Sequence, residues 1–203
     1  MLKTFRESLC AGILITIGGT VFLSCENKTV GAVLFSVALL CICYKGYYLF
    51  TGKIGYIAEQ HKKQDFLNLA VGLFGNLIAT FLLGMLLRAV LPNIGEKASE
   101  LCSAKLAQLP LYTFIRGFFC GILMYLAVSV YKEKDSVLGV LFCVPVFIMC
   151  GFEHSIADIF YFGASGIFSA RIILFSVLVV IGNTFGAMVL PLLKGVHTDE
   201  KQG

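Results

Sequence analysis

Gly151-Phe152-Glu153-His154-Ser155-Ile156-Ala157-Asp158 decides how this chain is read. It directly follows Val137 to Cys150, an apolar run with the composition of half a membrane helix. A glutamate, a histidine and an aspartate therefore fall where a transmembrane segment is expected to stay apolar. Ionisable groups at that depth cost roughly 2.5–3.5 kcal/mol each on insertion scales, so those that occur line pathways for ions or protons. The motif is the expected centre of a small membrane channel or transporter.

The whole chain agrees with this reading. Of 203 residues, 58% are hydrophobic and 14% charged, against about 25% charged in soluble domains; the mean hydropathy is +0.89. Eighteen phenylalanines and 21 glycines suit packed membrane helices, in which glycine brings backbones close. A net charge of +4, dispersed along the chain, does not suit a nucleic-acid partner. The eight cysteines form no CxxC and read as packed free thiols. Cys25 and Cys102 fall in predicted loops on one side, a pairing that is open but not indicated. The start, Met1 to Arg6, has no clear cleavage signal, and the first span is expected to be a retained anchor.

Spans of about 20 apolar residues are predicted at Leu9–Cys25, Val30–Phe50, Phe66–Leu91, Leu109–Tyr131, Val137–Phe162 and Arg171–Leu193. Lys45-Gly46 interrupts the second and the Glu-His motif the fifth. With the N-terminus inside, the inner segments hold Lys3, Arg6, Lys53, Lys62, Lys63, Lys132, Lys134, Lys194 and Lys201. The outer segments and adjoining helix ends hold Lys28, Arg88, Lys97, Lys105, Arg116 and Arg171. The excess places both termini in the cytoplasm. Lys62 and Lys63 are expected to meet anionic lipid headgroups. Asn27-Lys28-Thr29 reads as an ordinary polar turn.

The two halves repeat each other. Gly12, Gly46 and Gly75-Asn76 in one are matched by Gly121, Gly151 and Gly182-Asn183 in the other. Each half holds three spans, an odd number, so the second must insert upside down. Such inverted repeats with paired broken helices bring a site to the membrane midplane. The predicted fold is a single all-α transmembrane domain, 1–203, of six helices in two inverted repeats, about 9–91 and 109–193, with broken second and fifth helices.

These residues resemble the formate/nitrite transporter family. The resemblance rests on Gly151 to Ala157, Leu49-Phe50-Thr51, Phe74-Gly75-Asn76-Leu77, Val144-Pro145-Val146-Phe147 and Ile181-Gly182-Asn183, in order over nearly the whole chain. It implies an aquaporin-like homopentamer with a pore through each protomer, passing small monovalent anions such as formate, nitrite, hydrosulfide, acetate or lactate. It also implies a bacterial inner-membrane location. By the same resemblance His154 is the central pore histidine, with Glu153 beside it and Thr51 facing it. Phe35, Leu39 and Phe147 form a cytoplasmic-side constriction, Leu49 and Phe50 an outer one, and Lys105 is a vestibule lysine that attracts anions. Gly121 and Asp158 stand where the family usually has asparagine, and Lys45, Tyr47 and Tyr48 replace residues that are commonly small or acidic.

The chemistry expected at the centre is proton-linked anion passage. Dry rings of Phe and Leu reject a bare anion but pass its neutral acid more cheaply. Histidine suits the midpoint because its unperturbed pKa, about 6.5, is near working pH, and Glu153 is expected to fix its tautomer or tune its basicity. Lys45 would add a positive field at the first break. An enzyme is not expected: His154 and Asp158 at i, i+4 lack a third metal ligand, since His61 and His197 lie in predicted polar segments, and no HExxH occurs. The alternative is an aquaporin-like pore for neutral solutes, disfavoured because no Asn-Pro-Ala turn is present. No cofactor motif is found, and the expected partners are the chain itself, an anion, a proton and lipid.

Overall fold

The computed structural model describes residues 1–59 and 61–194; Lys201 and His197 lie outside the described residues. Among these, the chain forms eight α-helices: α1 Leu2–Ser24, α2 Lys28–Lys45, α3 Lys63–Val90, α4 Pro92–Leu106, α5 Pro110–Lys134, α6 Leu138–Met149, α7 Ser155–Ser165 and α8 Ala170–Lys194. Five of them (α1, α2, α3, α5 and α8) are long and apolar enough to cross a membrane. The fifth predicted span is two short helices, α6 and α7, on either side of the Glu-His motif. The second keeps α geometry only to Lys45; beyond its break it continues as 3-10 turns at Phe50–Gly52 and Ile54–Ala58.

One difference from expectation affects the site. The polar stretch after Val90, read as a loop, is the helix α4. Pro92 starts it, where a missing N–H costs nothing. Ile94, Ala98, Cys102 and Lys105 then recur at helical spacing and form its buried face. Asn27, in the expected polar turn, caps α2 by accepting from the Thr29 and Val30 amides at 3.0 and 3.1 Å.

The packing inverts the soluble pattern. On α1 the buried face is Thr4, Ser8, Ala11, Gly12, Ile15, Thr16, Gly18 and Gly19, whereas Ile13 and Ile17 are exposed. Phe74, Leu82, Phe142, Ile173 and Phe185 face outward in the same way on other helices. Lipid removes the penalty for exposing apolar surface, and small residues let helices approach through their backbones. Thus α1 packs on α3 and α5 on α8. A Cβ on Gly182 would stand 2.6 Å from the Phe114 carbonyl, one on Gly186 would overlap the Phe118 carbonyl, and one on Gly75 would overlap the Ser8 hydroxyl. All the cysteines are free thiols, and Cys102 is buried within α4 rather than in a loop.

Both breaks are built alike. Gly46 and Gly151 each have φ +67°, a conformation that glycine adopts at little cost. At the first, Gly46 N–H bonds the Cys43 carbonyl and Tyr47 N–H the Ile42 carbonyl; at the second, Gly151 N–H bonds Ile148 and Phe152 N–H bonds Phe147. Each break is then clamped by one fully buried asparagine. Asn76 accepts from Phe50 N–H at 2.9 Å and donates to the carbonyls of Ser8 at 2.8 Å and Tyr48 at 3.0 Å. Asn183 accepts from Ser155 N–H at 2.9 Å and donates to the carbonyls of Gly117 at 2.8 Å and Glu153 at 2.9 Å. The segments beyond the breaks cross over: α7 packs on α3, and the second 3-10 turn packs on α8.

Asn183→Ala is expected to leave the buried Ser155 N–H and the Glu153 carbonyl at the break without this partner, at about 1–3 kcal/mol for each group. Thermal unfolding in detergent should show a loss of several kcal/mol, with Asn76→Ala behaving alike; wild-type stability in both would refute the clamp. Gly186→Ala should fail to assemble, as read by gel filtration, because the clashing Phe118 atom belongs to the backbone and cannot rotate away.

Candidate functional site

The two breaks meet at His154 and Thr51, which are 2% and 1% exposed. His154 is the N-cap of α7: its Nδ1 accepts from the Ala157 amide at 3.1 Å. An acceptor nitrogen carries no proton, so the neutral ring holds its proton on Nε2. Nε2 lies 2.9 Å from Thr51 Oγ1, and the tautomer makes the histidine the donor. The Thr51 hydroxyl keeps its own proton to donate elsewhere. Glu153, expected to set this tautomer, does not: among the described residues no hydrogen bond joins it to the ring, and the α7 backbone does that work.

Glu153 faces the other way. Its Oε1 accepts from Gln108 Nε2 at 2.7 Å and its Oε2 from Lys105 Nζ. Lys105 also pairs with Asp158 Oδ1 at 2.9 Å, while Asp158 Oδ2 is buried without a partner among the described residues. The three side chains are 2–11% exposed. At such burial an ion pair is strong in Coulomb terms but costly to desolvate, so its members hold each other in place. Lys105 is therefore not the free vestibule cation that the resemblance implies. It is a buried strut, tying the end of α4 to the second break through Glu153 and to α7 through Asp158.

Two apolar layers flank the histidine. Phe147 stacks on the His154 ring at 5.6 Å between centroids, tilted 20°, and its far side meets Phe35 edge-on at 6.4 Å. On the other side Leu39 and Leu49 line a cavity of about 120 Å³ with Lys53, Tyr131 and Lys132. Phe50 is buried at the start of the first 3-10 turn, its amide held by Asn76. The grouping differs from expectation, because Leu39 belongs with Leu49 rather than with the phenylalanines. So does the sidedness. Since α2 runs antiparallel to α1, Gly18 of α1 facing Phe35 and Ala38 of α2, an inner N-terminus puts Phe35 in the outer half and Leu49 in the inner half. Lys45 is exposed at the end of α2 and does not line the cavity.

Three features escaped the sequence reading. Gln108 and the Asp158 ion pair required α4 to be recognised as a helix, and its Ile94, Ala98, Cys102, Lys105 spacing was the available signal. Lys53 and Lys132 sit in segments counted only for orientation. His61 Nδ1 donates to the Ile57 carbonyl at 2.8 Å. Among the described residues, no cluster of three His, Cys, Asp or Glu could hold a metal ion.

Comparison with known proteins places this geometry. The profile of the family described as Formate/nitrite transporter matches residues 1–194. Uncharacterized transporter YwcJ of Bacillus subtilis (strain 168) is 29% identical over 185 residues, covering 81% of this chain and 72% of the relative. A solved structure described as a pentameric formate channel with formate bound superposes with a TM-score of 0.81 at 24% identity, covering 95% of both chains. Another, an FNT family ion channel, gives a TM-score of 0.75 at 20% identity over 95% of this chain and 87% of its own. At these identities the two structures speak for the fold, while the profile covers nearly the whole sequence. The chain is thus an integral membrane protein that acts as a channel or transporter and not as an enzyme, and it belongs to the formate/nitrite transporter family.

Proposed function

We propose that this protein passes small monovalent anions (formate, nitrite, hydrosulfide or short carboxylates) across a bacterial inner membrane, through a pore in each protomer of a homopentamer. The pentamer and the anion class are supported by the fold shared with a formate channel. In this reading the fold is six spans in two inverted, aquaporin-like repeats, with both termini cytoplasmic. Support comes from the paired glycine breaks, the paired asparagine clamps and the crossed packing of the segments beyond them.

The observation that carries the function is the His154–Thr51 pair, enclosed between the Phe35–Phe147 layer and the Leu39–Leu49 layer. An anion at the midplane accepts from Nε2–H and from the Thr51 hydroxyl, two donors in a site with little water to compete. Entry as a bare ion past either layer carries the full desolvation cost, which protonation removes. A proton drawn from the aqueous side therefore reaches the anion near the midplane, and the two cross the far layer together as the neutral acid. Because Nδ1 is engaged by the α7 backbone, the neutral ring offers a hydrogen bond first. A second proton on the ring has to displace the Ala157 amide, which couples the protonation of His154 to the cap of α7.

The test is flux of each anion into proteoliposomes with internal pH recorded. Wild-type protein should carry the anion inward with coupled internal acidification. His154→Ala should assemble normally and lose or alter the proton dependence; unchanged flux with an unchanged pH profile would remove the histidine from the mechanism. Thr51→Val deletes one donor worth about 1 kcal/mol, so flux at low substrate should fall roughly fivefold. Wild-type flux in that variant would mean that the hydroxyl does not meet the anion.

A further inference from the structure

The charges of the cluster beneath α4 do not cancel. Lys105 brings one positive charge, whereas Glu153 and Asp158 as ordinary carboxylates bring two negative ones. Glu153 and Asp158 are 1% and 2% exposed, and Lys105 is 9% exposed. A net negative charge at such burial is costly and calls for a second cation or a proton. Among the described residues no second cation is at hand. Arg88, which α3 presents to α7, bonds the Ala164 and Ser165 carbonyls at the far end of that helix. Lys97 of α4 bonds the Leu23 carbonyl. The helices α1 and α8 carry charged residues only near their ends. His154 accepts at Nδ1 and is therefore neutral. The Cys102 and Cys120 thiols and the Tyr161 phenol lie within electrostatic reach of Asp158, and as neutral groups they add no charge. Asp158 stands in the first turn of α7, whose dipole supplies only about half an elementary charge.

The hydrogen bonds distinguish the two carboxyl groups. Both oxygens of Glu153 accept, Oε1 from Gln108 and Oε2 from Lys105, as suits an ionised carboxylate. Asp158 Oδ1 lies 2.9 Å from Lys105 Nζ, but Oδ2 is buried without a partner among the described residues. A charged oxygen in that position is left undonated, whereas a proton on it removes the charge and makes it a donor. The Ser155 hydroxyl is also buried and unpartnered among the described residues. It stands three residues earlier on the same face of α7, the acceptor that helical spacing offers to such a proton.

We infer that Asp158 is held as the neutral acid, so that Lys105, Glu153 and Asp158 form a proton-binding site of their own, separate from His154. With its proton the cluster has no net charge: Lys105 pairs with ionised Glu153 and donates to the Oδ1 of a neutral Asp158. As pH rises the proton is released, and one net negative charge appears beside the break that carries His154. The consequence for transport rests on the anion-passage reading. That charge opposes an anion at the midplane, across an interior that screens it poorly, so flux falls as the proton leaves. Asp158 acts through the field at the site and touches neither the anion nor the histidine, which makes it a positioning and tuning residue.

The experiment is infrared spectroscopy of the full-length protein against pH, paired with formate flux in proteoliposomes. At neutral pH the wild type should show the carbonyl band of one buried, protonated carboxyl group. Carbon-13 in the side-chain carboxyl of aspartate should move that band, and the same label in glutamate should not. Alkaline pH should remove it. Asp158→Asn should lack the band, and so should Glu153→Gln, since Lys105 then faces a single carboxylate. The asparagine variant keeps a neutral group of the same shape, so its flux relative to wild type should be on the order of tenfold higher at the pH where the wild-type band has gone than at neutral pH. No band in the wild type, or a band that follows labelled glutamate, would overturn the assignment to Asp158. A flux ratio that is flat with pH would overturn its effect on transport. A band that follows labelled aspartate in protein that passes no anion would uphold the proton site and sink the transport reading.

Discussion

A helix broken inside a membrane exposes backbone groups that lipid cannot satisfy, and the architecture here depends on how that constraint is met. Two buried asparagines meet it. Each takes the amide that opens the segment after a break and gives its own N–H groups to a carbonyl within the break and to another on a neighbouring helix. A side-chain amide suits the task because it offers an acceptor and two donors in one plane. Once clamped, the breaks are fixed against α1 and α5, and the side chains they carry, Thr51 and His154, meet at one bond. The site is a consequence of satisfying the backbone.

The polar chemistry is then divided between two environments. On one side of the second break His154 lies between Phe147 and Thr51, with a tautomer dictated by the first turn of α7. On the other, Glu153 joins Lys105 and Gln108 beneath α4. Adjacent residues in an extended segment point to opposite sides, so a glutamate and a histidine next to each other in sequence serve different networks. Their partners, not their proximity, define their roles. The same geometry makes α4 part of the site: without it the break would carry a buried carboxylate with no cation, at a cost of several kcal/mol.

The lipid-facing surface and the pore are built from opposite residue types. Isoleucine, leucine and phenylalanine cover the outside, whereas glycine, alanine, serine and threonine fill the helix contacts. Small contact residues bring α5 and α8 close enough for the Asn183 side chain to reach across to Gly117 and Glu153. A larger side chain at Gly182 or Gly186 would separate the helices and break the clamp, so the glycines and the asparagines work as one device.

Much of this was legible in the chain. Apolar runs of membrane length, the paired glycines, the Gly-Asn pairs and an ionisable motif inside a hydrophobic run all follow from what a bilayer tolerates, a one-dimensional constraint that composition and spacing express directly. Tertiary structure decided what spacing cannot encode. The Lys105 charge reads as a vestibule cation until α4 folds and brings it to Glu153 and Asp158. Leu39 is grouped with Leu49 rather than with Phe35 because the chain turns back at Gly46. The proton on His154 is placed by the Ala157 amide, not by the neighbouring glutamate. The membrane alone selects which residues can lie along each span. Which polar group meets which is set by close contacts between distant segments, such as Thr51 and His154, 103 residues apart, and those contacts exist only once the helices have packed.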